Sequence, residues 1–219
     1  MDKQTVGKRI LSANEQFAQG NAELLAAHNL VCLNMISSPG SGKTTLLART
    51  ITDMRGRLRI GVIEGDLRTD LDAQRIRATQ APAVQIETKG SCHLSAEQVH
   101  GALGQLPLAD LDMVIIENVG NLVCPASFAL GESAKIVVLS VAEGDDKPAK
   151  YPSIFARSAA LLINKIDLLA AEGLADFDTD RVRTDASLLN RSIEIFPLSA
   201  RTGQGMESWY DWLAARVRS

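Results

Sequence analysis

Lysine, hydroxyls and small glycines crowd one short stretch, Ser37-Ser38-Pro39-Gly40-Ser41-Gly42-Lys43-Thr44-Thr45. It follows the apolar run 31–36 and precedes an apolar helical pattern, the strand–loop–helix setting of a phosphate-binding loop that ends in Gly-Lys-Ser/Thr. Gly40 and Gly42 let the backbone curl until successive N–H groups, with Ser41 between them, face one anion at a helix N-terminus. Lys43 can then reach β- and γ-phosphates, the Thr44 hydroxyl can bind Mg²⁺, and Thr45 completes the candidate set. The strict pattern opens on Gly, whereas Ser37 stands here. A Gly-Ser turn before an ordinary helix is the simpler alternative, and the apolar context on both sides argues against it.

A second group follows the run 161–163: Asn164-Lys165-Ile166-Asp167. A carboxylate at Asp167 can accept from both N1–H and N2–H₂ of guanine, whereas adenine offers neither donor and would leave it unpaired. Asn164 can bond the other edge of the base while the Lys165 stem covers its face. Ser199-Ala200, after the run 193–196, falls where a further base-contacting loop is common, although the dipeptide alone carries no signal. Together the two groups specify a guanine nucleotide, GTP or GDP, with Mg²⁺.

Between them two acidic positions are candidates for Mg²⁺ and γ-phosphate sensing. Asp66 ends Glu64-Gly65-Asp66, and Glu117 opens Glu117-Asn118-Val119-Gly120, an Asp-x-x-Gly-like switch with Glu for Asp. A strand-end carboxylate can equally cap a helix, which is the simpler reading of Asp66. No residue stands out as a base for the attacking water. Phosphoryl transfer depends mainly on positioning and charge neutralisation, so slow turnover is expected unless a partner or dimer completes the site.

The three cysteines divide. Cys32 lies inside the first apolar run and reads as packing. Cys92 precedes His93, and Cys124 precedes Pro125; thiolate and imidazole select Ni²⁺, Zn²⁺ or copper over Mg²⁺. Spacing alone does not separate a metal site from two buried thiols beside a loop histidine. Adjacent residues of an extended segment point in opposite directions, so Cys92 and His93 are expected to serve one ion across a two-fold axis rather than within one subunit. Cys124 lies four positions beyond Gly120 on the segment expected to move with the γ-phosphate, which would link metal affinity to the nucleotide. His28 and His100 read as surface or helix-end residues.

The elements that must position these groups are legible as periodicity. Apolar, β-branched runs at 31–36, 58–63, 84–86, 113–116, 136–139, 161–163 and 193–196 suit strands covered on both faces. Helical patterns at 44–54, 70–79, 95–103, 153–158, 179–189 and 206–217 alternate with them, predicting an α/β fold whose central sheet of about seven strands is mostly parallel. Residues 2–28 predict an amphipathic helix with Val6, Ile10, Phe17, Leu24 and Leu25 on one stripe, so 1–29 is expected to pack on a single domain spanning 30–219. The polar stretch 142–152 reads as a solvated loop. The 219 residues are 46% hydrophobic and 22% charged, which excludes a disordered or fibrous chain. Lys and Arg total 23 against 26 Asp and Glu, a net charge of −3 that makes no electrostatic case for nucleic acid or a membrane surface. No run approaches the roughly 18–20 apolar residues of a membrane span, no secretory signal is visible, and three cysteines suit a reducing compartment, so a cytoplasmic location is expected.

Taken together these residues resemble the nickel-incorporation GTPases of hydrogenase maturation, the HypB family. The resemblance runs from about residue 33 to 200 through the phosphate loop, Glu64-Gly65-Asp66, Gly90-Ser91-Cys92-His93-Leu94, Ile116-Glu117-Asn118-Val119-Gly120-Asn121-Leu122-Val123-Cys124-Pro125, Glu143-Gly144-Asp145-Asp146-Lys147-Pro148 and Asn164-Lys165-Ile166-Asp167. It implies a three-layer P-loop NTPase fold and a GTP-dependent homodimer holding Ni²⁺ or Zn²⁺ at its interface through Cys92, His93 and Cys124. It also implies nickel delivery to a [NiFe]-hydrogenase precursor with a small zinc-containing accessory protein of the HypA type, and Lys147 or Lys150 reaching toward nucleotide or partner subunit. The Cys- or His-rich N-terminal extension of many members is not expected, and Ser37 looks normal for the family. A urease nickel GTPase would show Cys-Pro-His where Ala126 follows Cys124-Pro125 here. A cobalamin-enzyme chaperone is disfavoured by the Cys-His pair, and a metabolic P-loop kinase with incidental thiols by the Asn-Lys-x-Asp group.

Overall fold

The computed structural model describes residues 3–66, 70–88, 90–170 and 177–218, with side chains described from residue 13 onward apart from 66–73. Seven strands form one all-parallel sheet: β1 (Val31–Ser37), β2 (Ile60–Asp66), β3 (Ala83–Glu87), β4 (Met113–Gly120), β5 (Ala134–Ser140), β6 (Ser158–Asn164) and β7 (Glu194–Pro197). Their spatial order is β3-β2-β4-β1-β5-β6-β7. The helices are α1 (Lys3–Ala27), α2 (Lys43–Asp53), α3 (Asp70–Ala78), α4 (Ala96–Leu103), α5 (Cys124–Ser127), α6 (Lys147–Lys150), α7 (Pro152–Ala156), α8 (Thr179–Leu189) and α9 (Met206–Arg218). Because β1 sits between β4 and β5, the chain reverses its winding direction around it. In an open parallel sheet the crevice at that reversal, beyond the strands' C-terminal ends, is where ligands bind.

Strand alternation sorts the core onto two faces. Leu33 and Met35 of β1 join Leu46, Leu47, Trp209 and Leu213 of α2 and α9. Cys32 and Ile36 point the other way, Cys32 toward α1 and α4 and Ile36 toward α7 and α8. The result is the expected three-layer α/β architecture. Trp209, fully buried, donates its Nε1–H to Thr50 Oγ1 at 3.0 Å, so its polar end is satisfied inside the apolar layer.

Several boundaries depart from expectation for identifiable reasons. β4 continues through Glu117 to Gly120 instead of stopping at residue 116, because both polar side chains find hydrogen-bond partners and can stay buried. The stretch 142–152 is not a solvated loop. Ser140 and Glu143 cap one another's backbone across a short 3-10 turn, and α6 and α7 follow, with Pro148 buried. The helix expected at 153–158 ends at Ala156, and Ser158 opens β6. Among the described side chains of α1 the inward residues are Ala18, Asn21 and Leu25, whereas Phe17 is 37% exposed and tilts against His100; Val6 and Ile10 of the expected stripe lie outside the described side chains. Hydropathy overlooks that face because its centre is polar: Asn21 Nδ2 donates to Ala96 O (2.8 Å) and Leu130 O (2.9 Å). No helix among the described residues is long and apolar enough to cross a membrane.

Candidate nucleotide and metal sites

The phosphate loop leaves the C-terminal end of β1 and turns into α2 through Gly42, whose φ is +90°. A Cβ there would lie 2.8 Å from Asn164 Nδ2, so both the left-handed backbone and the close approach require glycine. Lys43 Nζ donates to Ser37 Oγ at 2.7 Å, and Ser41 Oγ donates to the same oxygen at 2.5 Å. Ser37, the departure from the strict motif, thus works as an anchor within the loop. Pro39, Gly40, Ser41, Gly42, Lys43 and Thr44 line a cavity of about 460 Å³. Backbone amides at a helix N-terminus and a lysine around such a cleft suit a polyphosphate.

An adjoining cavity of about 310 Å³ is lined by Asn164, Lys165, Asp167, Leu168, Ala200 and Arg201, and it shares Gly42, Thr45 and Lys165 with the first. Asp167 Oδ1 accepts from the buried Ser199 hydroxyl at 2.6 Å, which fixes the carboxylate's rotation. Asn164 braces the site: its Nδ2 donates to Ser41 O (2.9 Å), and its Oδ1 accepts from Ala200 N (3.1 Å) and Lys165 N (2.8 Å). Asn164 thereby ties the phosphate loop to the loops that carry Asp167 and Ala200. Lys165, with φ +65°, donates Nζ to Gly40 O at 2.7 Å, so its stem lies across the joint between the cavities. Ser199 and Ala200 thus hydrogen-bond to Asp167 and Asn164, one through its hydroxyl and the other through its backbone N–H.

Of the two acidic candidates, Glu117 is buried, and its Oε1 accepts from Thr44 Oγ1 at 2.7 Å. A hydroxyl and a carboxylate so placed are the hard oxygen donors Mg²⁺ prefers. Asp66 closes β2, but its side chain lies outside the described residues. Gly120 ends β4 against the phosphate loop, where an added Cβ would meet Pro39 at 3.1 Å. Three further lining residues were not among the candidates read from the sequence. Glu64, 2% exposed, is the register partner of Glu117 on β2 and lines the phosphate cavity, as do Arg75 of α3 and Asn118. A Glu directly after the apolar run 58–63 that becomes β2 was the available signal for Glu64. Lys147 and Lys150 line neither cavity; Lys147 approaches Glu143 at 3.9 Å, and Lys150 pairs with Asp146 at 2.5 Å.

Cys92, His93 and Cys124 converge within one chain, their ligand atoms all within 4.8 Å of one another. Cys92 Sγ lies 2.8 Å from Cys124 Sγ and 3.5 Å from His93 Nδ1. The expectation that Cys92 and His93 diverge is overturned: the backbone bends at both residues instead of running extended, so alternation does not apply. Asn121 stitches the two segments, donating Nδ2 to Cys92 O (3.2 Å) while its Oδ1 accepts from Val123 N (2.8 Å). The His93 ring stacks on Phe128 with centroids 4.0 Å apart. Burial lowers the His93 pKa, so the ring is neutral near pH 7 and offers a lone pair. The hydrogen bond to Cys124, then burial, raises the Cys92 thiol, so a metal arriving at this pair must displace protons. Cys32 is fully buried, and its thiol is pushed far up by desolvation, then by Glu132. His28 is exposed, and His100 lies on α4 with Nδ1 2.9 Å from Asn21 Oδ1.

The fold and the paired cavities define a P-loop nucleotide-binding protein with a thiol–imidazole cluster beside the end of β4. The profile of the CobW/HypB/UreG nucleotide-binding domain matches residues 32–196. The hydrogenase maturation factor HypB of Escherichia coli K12 is 48% identical over 204 residues, 93% of this chain and 69% of that protein. The crystal structure of Helicobacter pylori HypB in complex with nickel superimposes with a TM-score of 0.88 at 39% identity, covering 94% of this chain and 95% of that one. Archaeoglobus fulgidus HypB gives 0.87 at 37% identity, over 94% and 100%. The chain belongs to the HypB family of hydrogenase maturation factors, within the CobW/HypB/UreG group.

Proposed function

We propose that this chain is a GTP-hydrolysing metallochaperone that carries Ni²⁺ or Zn²⁺ and helps insert nickel into a [NiFe]-hydrogenase precursor. The observation that carries the reading is the cluster of Cys92, His93 and Cys124, set on the two segments that Asn121, one residue past β4, ties together. Two sulfurs and one imidazole form a borderline-soft donor set that favours Ni²⁺ or Zn²⁺ over Mg²⁺. Three protein ligands leave a fourth position for water, a partner subunit or a receiving protein, which suits cargo handed on by ligand exchange. In a tetrahedral site with metal–sulfur bonds of about 2.3 Å the sulfurs stand roughly 3.7 Å apart, so an arriving ion would spread the thiols by about 1 Å.

At the nucleotide, Lys43 and the loop amides would hold the phosphates and Asp167 would select guanine. Thr44 and Glu117, with Asp66 at the end of β2, would hold Mg²⁺, which supplies charge neutralisation at the phosphates when bound. Residues 1–29 are taken as a helix packed on the GTPase domain of 30–219. A GTP-linked homodimer would complete both sites, and a zinc-containing accessory protein of the HypA type would be the partner in transfer. The names and the nickel complex of the relatives support this assignment.

The test is titration of the full chain with Ni²⁺ and with Zn²⁺, each in GDP and in Mg²⁺ with a non-hydrolysable GTP analogue, alongside Cys124→Ala, while mass and phosphate release are followed. The reading expects Cys124→Ala to lose metal affinity and native affinity to differ between the two nucleotides. Metal binding indifferent to both Cys124 and nucleotide would sink it.

A further inference from the structure

We infer that Asn118, Asn34, Glu132 and Lys135 are positioning residues for the metal cluster, forming one buried polar chain that ties both ligand-bearing segments to the switch strand. The inference rests on the metal-carrying reading above and names the groups through which nucleotide state would reach that site.

The chain begins beside the nucleotide. Glu117 bonds Thr44 from one face of β4, and its neighbour Asn118, 2% exposed, projects from the other. Asn118 Oδ1 accepts from Leu94 N at 3.3 Å, one residue past His93, and from Val119 N at 2.9 Å. Its Nδ2 donates to Asn34 Oδ1 at 3.1 Å, and Asn34 Nδ2 donates to Glu132 Oε1 at 3.1 Å. Glu132 Oε1 also accepts from Lys135 Nζ at 2.5 Å, while Oε2 accepts from Leu130 N at 2.6 Å. Lys135 Nζ then donates to Phe128 O at 2.9 Å and Pro125 O at 3.2 Å. Pro125 follows Cys124, and Phe128 is the ring on which His93 stacks. One branch therefore ends at the Cys92–His93 segment and the other at the Cys124–Phe128 segment.

Stability alone does not account for these residue types. Asn34 is fully buried between Cys32 and Ile36 on a strand that is otherwise mostly apolar, and the Glu132 and Lys135 side chains are 5% and 12% exposed. Replacing such buried polar groups by apolar ones of similar shape is often neutral or stabilising, whereas apolar groups could not aim donors at two chosen carbonyls. The carbonyls of 125 and 128 fix how Cys124 and Phe128 face His93. Residues that orient metal ligands in this way typically govern affinity by about 10- to 100-fold.

The test uses the full chain and Ni²⁺ itself, with affinity read by competition against a chromophoric chelator in GDP and in Mg²⁺ with a non-hydrolysable GTP analogue. Lys135→Met keeps the stem and removes the donor; Glu132→Gln keeps the shape and removes the charge; Lys135→Arg restores a forked donor. Lys135→Met and Glu132→Gln are expected to bind Ni²⁺ about tenfold more weakly or worse, with guanine nucleotide affinity unchanged and with the nucleotide dependence of Ni²⁺ affinity reduced toward none. Lys135→Arg is expected to recover most of both. If either of the first two variants keeps native Ni²⁺ affinity and native nucleotide dependence, the inference falls while the metal-carrying reading stands. If Lys135→Met does not fold, Glu132→Gln decides. A native chain whose Ni²⁺ binding ignores nucleotide and Cys124 overturns the reading and this inference with it.

Discussion

Asp167→Asn tests base selectivity through a single atom. Asp167 Oδ1 accepts from Ser199 Oγ at 2.6 Å, and that hydroxyl in turn accepts from Thr202 N at 3.1 Å. Ser199 is fully buried, so the hydroxyl continues to demand an acceptor after substitution. The new amide must turn its oxygen toward Ser199, and its NH₂ then replaces the second carboxylate oxygen at the edge of the base cavity. Guanine presents N1–H and N2–H₂ there. One charge-assisted bond, worth about 1.5–3 kcal/mol, is exchanged for two opposed donors, and the other loses its charge assistance. The sum is about 3–4 kcal/mol, or roughly 10²- to 10³-fold in Kd. Xanthine carries a carbonyl where guanine carries the amine, so the same NH₂ can donate to it. Isothermal titration with GDP, XDP and ADP is expected to show GDP weakened by that factor in the variant, XDP strengthened, and ADP poor throughout. GDP affinity within about threefold of native in Asp167→Asn, or native affinity for ADP equal to that for GDP, would refute the assignment of Asp167 to the base.

Gly42→Ala places a Cβ 2.8 Å from Asn164 Nδ2 on a backbone at φ +90°. It should strain the loop by about 1–2 kcal/mol and displace the brace between Ser41 and Ala200. The expected result, read with a fluorescent GDP analogue, is at least about tenfold weaker nucleotide binding with nucleotide-free Ni²⁺ affinity unchanged. Asp112 accepts from Arg59 Nη2 at 2.6 Å and from the Arg59 backbone N–H at 2.8 Å, and the Arg59 side chain holds its pKa below the usual carboxylate range. A carboxyl group with a depressed folded pKa stabilises the fold above its unfolded value, about 3.9, and that contribution is lost as pH falls through the folded pKa. Thermal melts should therefore show Asp112→Asn less stable than the native chain at pH 7, with the difference closing toward about pH 3; a gap of constant size would contradict this.

The strands and the phosphate and base groups were legible in the sequence because each is written in consecutive residues. A parallel strand covered on both faces is a continuous apolar run, and the phosphate and base loops follow two such runs directly. Less legible were features that depend on which residues the topology brings together. Cys92 and Cys124 lie 32 positions apart and meet only because β2 and β4 are neighbours in the sheet, which brings the segments that follow β3 and β4 to one edge of the cleft. The bend that turns His93 toward Cys92 is accompanied by contacts with Asn121 and Phe128, neither visible as a local pattern. Asn21 hid the packed face of α1 because periodicity counts apolar side chains, and the centre of that face is an amide. Glu64 and the bracing of Asn164 were missed for the same reason: each sits opposite a partner distant in the sequence.

The geometry of β4 makes independence of the two sites hard to sustain. Within five residues, Glu117 bonds Thr44, Asn118 holds Leu94 N, Gly120 abuts Pro39 of the phosphate loop, and Asn121 holds Cys92 O. The strand itself is hydrogen-bonded to β1 and β2 on its two edges, in register up to Glu117 on both sides; beyond that residue the pairing with β1 shifts and resumes at Ser37 and Gly120. Mg²⁺ held by Thr44 and Glu117 would replace their 2.7 Å contact, and Gly120 lies so close to the phosphate loop that a Cβ added there would meet Pro39 at 3.1 Å. Packed interiors switch between discrete arrangements rather than deform continuously. A metal that spread the thiols and a nucleotide that reseated Glu117 would act on opposite ends of the same short segment, and any change one made in the other's binding free energy would be returned by the same amount.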